Sequence, residues 1–155
     1  MIITKIEPVK LRYYPQKPLR DGLARIPSRD VFLLKIETDE EIYGIGEGFA
    51  LGCLDSVAAY TLECLAPLLI GSNPLEITRL WNRIYQQTFR FGKRGIGIAA
   101  LSAVDIALWD ILGKKAGLPV CSLLGKAHDC IYPYVFLERT KCLTKWQTKW
   151  QGLRR

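Results

Sequence analysis

The first half of the chain alternates short apolar runs with turn residues, a pattern typical of β-strands. Residues 2–13 are rich in β-branched and aromatic side chains and predict a first strand. Residues 30–37 and 42–47 predict two more strands, joined by the polar turn at residues 38–41. Because the second strand is apolar at successive positions, we expect both of its faces to be buried. The pattern indicates an antiparallel sheet of three strands.

The connection between the first two strands is long and irregular. Residues 14–29 contain three prolines and one glycine, interleaved with cationic side chains. We predict a loop over this range, and loops of this length in compact domains usually carry a function.

Glycines occupy alternate positions near the third strand, at Gly44, Gly46 and Gly48. Their spacing is similar to a dinucleotide-binding fingerprint, but no helix begins at the required place and no βαβ unit surrounds them. Alternate glycines within a strand more often allow a bulge or the close approach of another backbone. We therefore predict a structural role for them.

The periodicity becomes helical after residue 55. Asp55 is predicted to cap a helix over residues 56–66, with Pro67 distorting its end. Asn73 and Glu76 then match the cap and capping-box positions of a second helix. The apolar face of that helix recurs every three or four residues, at Ile77, Leu80, Trp81, Ile84, Tyr85 and Thr88.

A third helix begins near Ala100, is apolar nearly all round, and stops at Gly117 and Pro119. A helix of this kind lies in the middle of its domain. Two acids interrupt it, Asp105 and Asp110, and a buried carboxylate requires hydrogen-bond donors or a cation. We predict that both acids tie the helix to neighbouring backbone rather than take part in chemistry.

The net charge of +7 comes from the end of the chain. Residues 139–155 carry six basic residues and no acid, whereas residues 1–138 carry sixteen basic and fifteen acidic residues. Lysines spaced four residues apart in that tail form one solvated face of a helix. We therefore expect no nucleic-acid partner.

Cysteine use and hydropathy indicate a soluble cytoplasmic protein. The five cysteines show no spacing typical of a zinc site or a redox pair, and buried free thiols suit a reducing compartment. No segment has the roughly 18–20 uninterrupted apolar residues of a membrane helix, and the N-terminus lacks a leader pattern. We expect no membrane partner.

Residues 100–125 read Ala-Leu-Ser-Ala-Val-Asp-Ile-Ala-Leu-Trp-Asp-Ile-Leu-Gly-Lys-Lys and end in Leu-Leu-Gly. This run resembles the signature of the mandelate racemase/muconate-lactonizing branch of the enolase superfamily. The resemblance implies an α+β fold, in which a three-stranded antiparallel sheet and a helical bundle form an N-terminal capping domain over residues 1–128. The apolar run 130–137 and the predicted helix 140–151 then start a (β/α)₈ barrel within residues 129–155. A closed barrel needs at least about 200 residues, so the resemblance implies a chain truncated before the catalytic barrel.

In that family the chemistry belongs to the barrel. Three acids there hold Mg²⁺, which stabilises the enediolate formed when a base removes the proton alpha to a carboxylate. The resemblance therefore assigns this chain no catalytic residue, no metal ligand and no cofactor, with Mg²⁺ in the complete enzyme. It leaves open whether the chain is itself an enzyme. The sequence Ala-Leu-Trp-Asp at 107–110 is more similar to acid-sugar dehydratases, with mandelate-racemase-like enzymes next.

The resemblance also implies two loops that close over the barrel mouth, at residues 17–29 and 48–53. We expect Arg20 and Arg25 on the first loop, and Phe49 and Leu51 on the second, to contact a small carboxylate substrate. A complete enzyme is expected to be a homo-oligomer. The alternative is a stand-alone, non-enzymatic module that binds a partner through the apolar surface otherwise facing the barrel, since a large exposed apolar patch marks an interaction site.

Overall fold

The computed structural model describes residues 1–20, 25–90 and 92–130; for residues 19 and 20 it describes the backbone. The predicted barrel segment lies outside this range beyond residue 130. Five strands come first, β1 (Ile3–Tyr13), β2 (Leu19–Arg20), β3 (Arg25–Ile26), β4 (Arg29–Thr38) and β5 (Tyr43–Gly48). The helices follow, α1 (Leu54–Tyr60), a π-helical turn (Thr61–Leu65), α2 (Ala66–Leu69), α3 (Ile77–Gln87), α4 (Ile96–Ala116) and α5 (Val120–Leu123).

The main sheet has the order β1-β4-β5, and both strand pairs are antiparallel, as predicted. The central strand β4 buries Phe32, Leu34 and Ile36 completely. Its alternate residues, including Leu33 and Lys35, are half-buried. The prediction that both faces of this strand are buried is wrong, because the helices of the domain cover one face of the sheet and leave the other open to solvent.

Helix α4 packs directly against β5. A Cβ atom on Gly46 would overlap the carbonyl oxygen of Ala103, and Gly44 and Gly48 meet the helix in the same way one turn to either side. Glycine is required here because the two backbones touch with no side chain between them. The predicted close approach is confirmed.

Helix α4 is the central helix of the domain. Its residues Leu101, Val104, Leu108 and Ile111 are fully or almost fully buried beneath α1, α3 and the sheet. Its length and hydropathy alone would suffice to cross a membrane, but these contacts place it in the domain core. Its outer side is less covered than predicted, since Ile106 is 47% exposed.

The first helix starts differently from the prediction. Asp55 lies inside α1 and does not cap it; its carboxylate accepts a hydrogen bond from Lys10 Nζ at 2.6 Å. The helix then widens into the π-helical turn before Pro67, which stands in the first turn of α2. Proline has no N–H to donate to the preceding turn. The predicted distortion of the helix at Pro67 is therefore found, but it takes the form of a wider helical turn and does not end the helix.

The second helix starts three residues later than a cap at Asn73 predicts. Asn73 Oδ1 accepts a hydrogen bond from the Leu75 N–H at 3.1 Å, which closes a turn before the helix. Glu76 is the N-cap residue, and its carboxylate pairs with Arg79 at 2.8 Å instead of forming a capping box. The asparagine prefers the turn because its short side chain reaches the backbone two residues on.

The apolar face of α3 is confirmed. Ile77, Leu80 and Ile84 are buried against the rest of the core, and the rings of Trp81 and Tyr85 stack with centroids 4.8 Å apart.

Candidate functional site

Two loops leave the same end of the main sheet. Strand β1 ends at Tyr13, which pairs with Arg29 at the start of β4. Strand β5 ends at Gly48, which pairs with Phe32 near the same end of β4. The register therefore brings the base of the loop between β1 and β4 and the base of the loop after β5 to the same end of the sheet, on either side of β4.

The first of these loops contains a short hairpin that the sequence did not indicate. Strands β2 and β3 pair antiparallel, with Leu19 opposite Ile26 and Arg20 opposite Arg25. The Arg25 side chain is exposed, whereas the Arg20 side chain lies outside the part of the chain that the structure describes. The two predicted substrate-contacting arginines are thus partners in one register, which fixes the spacing of their backbones.

The second loop points two apolar side chains outward. Phe49 is 73% exposed and Leu51 is 37% exposed, while Ala50 between them is buried. The loop has a defined shape, since the Cys53 N–H donates to the Ala50 carbonyl at 3.0 Å and Gly52 has a φ of 75°. The alternation presents Phe49 and Leu51 on the side away from the core, where they are free to contact another molecule.

The bases of the two loops meet at Asp30, which the sequence analysis did not single out. The Asp30 side chain is 0% exposed, and its carboxylate accepts from Arg12 Nε at 2.7 Å and Arg12 Nη2 at 3.0 Å. It also accepts from Ser28 Oγ at 3.1 Å and from the Gly52 N–H at 3.2 Å. The Arg12 hydrogen bonds, followed by those from Gly52 and Ser28, lower the pKa of Asp30 although burial opposes them. No local sequence signal reveals this cluster.

The two acids of α4 differ from each other. Asp110 Oδ2 accepts from the Ile45 N–H and from Lys114 Nζ, each at 2.8 Å, which confirms the predicted tie between this helix and neighbouring backbone. Asp105 is half-buried on the outer side of the helix, and burial raises its pKa without a hydrogen bond from any described residue to offset it. Among the described residues, the predicted backbone tie is thus found for Asp110 and not for Asp105.

The described residues do not fit a magnesium centre. Within residues 1–20, 25–90 and 92–130, no three His, Cys, Asp or Glu side chains lie close enough together to hold a metal ion. A hard divalent cation needs several oxygen ligands, so no chemical step is assigned to a metal within this part of the chain.

Comparison with known proteins gives a consistent family. The family model for the N-terminal domain of mandelate racemase / muconate lactonizing enzyme matches residues 6–125. Arabinonate dehydratase from Saccharolobus solfataricus is 40% identical over 139 residues, which cover 86% of this chain and 37% of that protein. D-mannonate dehydratase from Novosphingobium aromaticivorans is 44% identical over 110 residues, which cover 70% of this chain and 27% of that protein.

A solved structure supports the same fold. The crystal structure of a member of the enolase superfamily from Polaromonas sp. JS666 superposes with a TM-score of 0.72 at 32% identity, covering 81% of this chain and 33% of that one. The predicted α+β class, with a three-stranded antiparallel sheet and a helical bundle, is confirmed. The chain spans about a third of the length of the relatives that it matches.

Proposed function

Because this chain belongs to the mandelate racemase / muconate lactonizing enzyme N-terminal domain family of the enolase superfamily, we propose that it is the substrate-capping domain of an acid-sugar dehydratase. Its relatives arabinonate dehydratase and D-mannonate dehydratase support that substrate class. The observation that carries the proposal is that Phe49 and Leu51 are exposed on a shaped loop, which leaves the same end of the main sheet as the loop that contains the Arg20–Arg25 hairpin. Racemisation is the next candidate reaction.

The proposed roles of these side chains follow from their chemistry. The positive charges of Arg20 and Arg25 attract an anionic sugar acid. The two side chains contact the part of the sugar acid that lies farthest from the reacting carbon. Phe49 and Leu51 cover the bound substrate through apolar contacts that the ground state and the transition state make equally. Neither pair moves a proton.

The rest of the proposed enzyme lies outside the described residues. We place the acid–base groups and a Mg²⁺ ion in a barrel that begins within residues 129–155. When bound there, Mg²⁺ would stabilise the negative charge that develops after removal of the proton alpha to the carboxylate. We further propose a cytoplasmic location and a homo-oligomeric complete enzyme.

A chimera tests the proposal. Residues 1–130 of this chain replace the corresponding region of the Saccharolobus arabinonate dehydratase, and dehydration of a panel of sugar acids is measured with Mg²⁺. We expect an active chimera in which Phe49→Ala raises KM about tenfold with little change in kcat, because it removes contacts made equally in the ground and transition states.

Phe89 provides the matched control, since it is also an exposed phenylalanine, 55% accessible, but follows α3 and lies outside both loops. Phe89→Ala should leave KM unchanged. Equal kinetics for the parent chimera and both variants would contradict a capping role for Phe49.

The outer side of α4 favours the second candidate function, a stand-alone binding module. Ile106 is 47% exposed there, near half-buried Trp109 one turn along, and Leu118, just after the helix, is 50% exposed. Such an apolar surface binds a partner or promotes aggregation. Size-exclusion chromatography of the 155-residue chain separates the two candidates: a monodisperse, cooperatively melting protein supports the module, and aggregation supports a capping domain that requires its barrel.

A further inference from the structure

We propose that Asp30 is a positioning residue that joins the base of the loop between β1 and β4 to the loop bearing Phe49 and Leu51, so that the two keep a fixed position relative to each other. The coupling itself is a property of this chain. Its consequence for substrate binding rests on the proposed function.

Hydrogen bonds from three separate segments converge on the Asp30 carboxylate. Arg12 lies near the end of β1, where the first loop begins, and Ser28 lies just before β4, where that loop ends. Gly52 lies in the second loop. One carboxylate therefore holds both ends of the first loop and the backbone of the second.

Burial makes this cluster hard to rearrange. The Asp30 side chain has no exposed surface, and a buried charge that loses a donor is strongly destabilised. Arg12 donates two N–H groups to the two carboxylate oxygens, an arrangement that fixes orientation as well as distance. A displacement of Ser28 at the end of the first loop, or of Gly52 in the second, must therefore break a hydrogen bond to a charge or carry the carboxylate along.

A second ion pair nearby does not explain the same coupling. Lys10 Nζ and Asp55 Oδ1 lie 2.6 Å apart and join β1 to α1, but the Asp55 side chain is 76% exposed. Exposed pairs contribute little, because solvent screens the charges and the side chains lose entropy on pairing. Asp55 also accepts no hydrogen bond from the backbone of either loop among the described residues. It is thus a suitable control position.

Hydrogen–deuterium exchange with sub-second labelling tests the coupling on the 155-residue chain. In Asp30→Asn we expect amide exchange to rise about tenfold or more both in residues 25–28, at the end of the first loop, and in residues 49–53, with residues 31–38 of the sheet unchanged. Asp55→Asn should exchange like the wild type. Faster exchange in only one loop, or equal effects of the two variants, would overturn the proposal.

A milder variant covers the case in which Asp30→Asn unfolds the domain and the sheet also exchanges. Arg12→Lys keeps the positive charge and loses the two-point hydrogen bonding, so we expect a several-fold rise in both loops with the sheet still protected. A rise confined to residues 25–28 would overturn the coupling in that case too.

Kinetics of the chimera separate this inference from the proposed function. If the loops form one substrate-contacting unit, Asp30→Asn raises KM as much as or more than Phe49→Ala, with kcat little changed, whereas a merely structural role would lower the amount of active protein without changing KM. Coupled exchange together with an unchanged KM would leave the positioning role of Asp30 intact and refute the capping role of the loops.

Discussion

Helix α4 has two sides that differ in how completely they are covered. Its inner side lies against β5 with backbone touching backbone, and its end is fastened there by Asp110. Its outer side carries Ile106, which is 47% exposed. It also carries Asp105, which has neither a salt bridge nor a hydrogen bond to any described residue. The packing of the inner side holds the domain together, whereas the exposed side chains of the outer side indicate a surface at which α4 can contact another part of the protein or a partner.

The comparison also separates two kinds of contact. On the inner side, small residues on both elements bring the helix and the strand together, so any added atom must displace a backbone. On the outer side, large side chains are only partly covered, so a change there has room to be accommodated. We therefore expect substitutions of similar size to have very different effects on the two sides.

The largest effect is expected for Gly46→Ala on the inner side. The added methyl group overlaps the Ala103 carbonyl oxygen and must push α4 away from β5. Overpacking of this kind costs about 3 kcal/mol, measured as a fall in the free energy of unfolding in urea.

Gly71→Ala is the matched control for that substitution. Gly71 has a φ of 80° with open space around it, so alanine there costs only the left-handed backbone conformation, about 1 kcal/mol. Equal losses for the two variants would mean that the inner side tolerates an added methyl group, and the contrast between the two sides would disappear.

A smaller loss is expected for Asp110→Ala at the end of the inner side. The substitution removes the acceptor of the Ile45 N–H and the partner of Lys114. Because the site is partly exposed and water can replace some of these contacts, the loss should be about 1 kcal/mol. Asp110→Asn keeps an acceptor for Ile45 and should recover roughly half of it, whereas no recovery would assign the stabilisation to the charge of Lys114 alone.

The inner side was largely predictable from the sequence. Alternating glycines in a strand indicate close approach, and the apolar surface of α4 indicates a central helix. The single-sided burial of β4 was not predictable, because the number of layers that cover a sheet is decided by elements distant in the chain. The helix starts at Leu54 and Ile77 were displaced because Asp55 and Asn73 form other contacts than caps.

The candidate site was predictable only in outline. The loops and their exposed side chains followed from a resemblance in the signature of α4, not from the loops themselves. Asp30 gave no signal, because its donors Arg12 and Gly52 lie 18 and 22 residues away in sequence and meet it only through the register of the sheet. Long-range polar clusters of this kind depend on the folded geometry.

The smallest effect, and the one that tests the outer side directly, is expected for Asp105→Asn. Burial raises the pKa of Asp105, so the folded chain binds this proton more tightly than the unfolded chain does. Stability is therefore lost as the pH rises from the ordinary carboxyl range through the raised pKa, and the ionised side chain is unfavourable at neutral pH. Asparagine removes that charge and should stabilise the chain at pH 7 by up to ~0.5 kcal/mol.

The pH dependence of this substitution decides what covers the outer side. At pH 3.5 the aspartate is mostly protonated in the folded chain, so the variant and the wild type should differ far less than at pH 7, as measured by urea unfolding at both values. A loss of stability at pH 7 would contradict the expectation, because it would require a donor or cation beside Asp105 from outside the described residues. In that case another part of this chain already covers the outer side of α4. The two sides would then differ in the kind of contact, polar at Asp105 and backbone to backbone at β5, and not in how fully each side is covered.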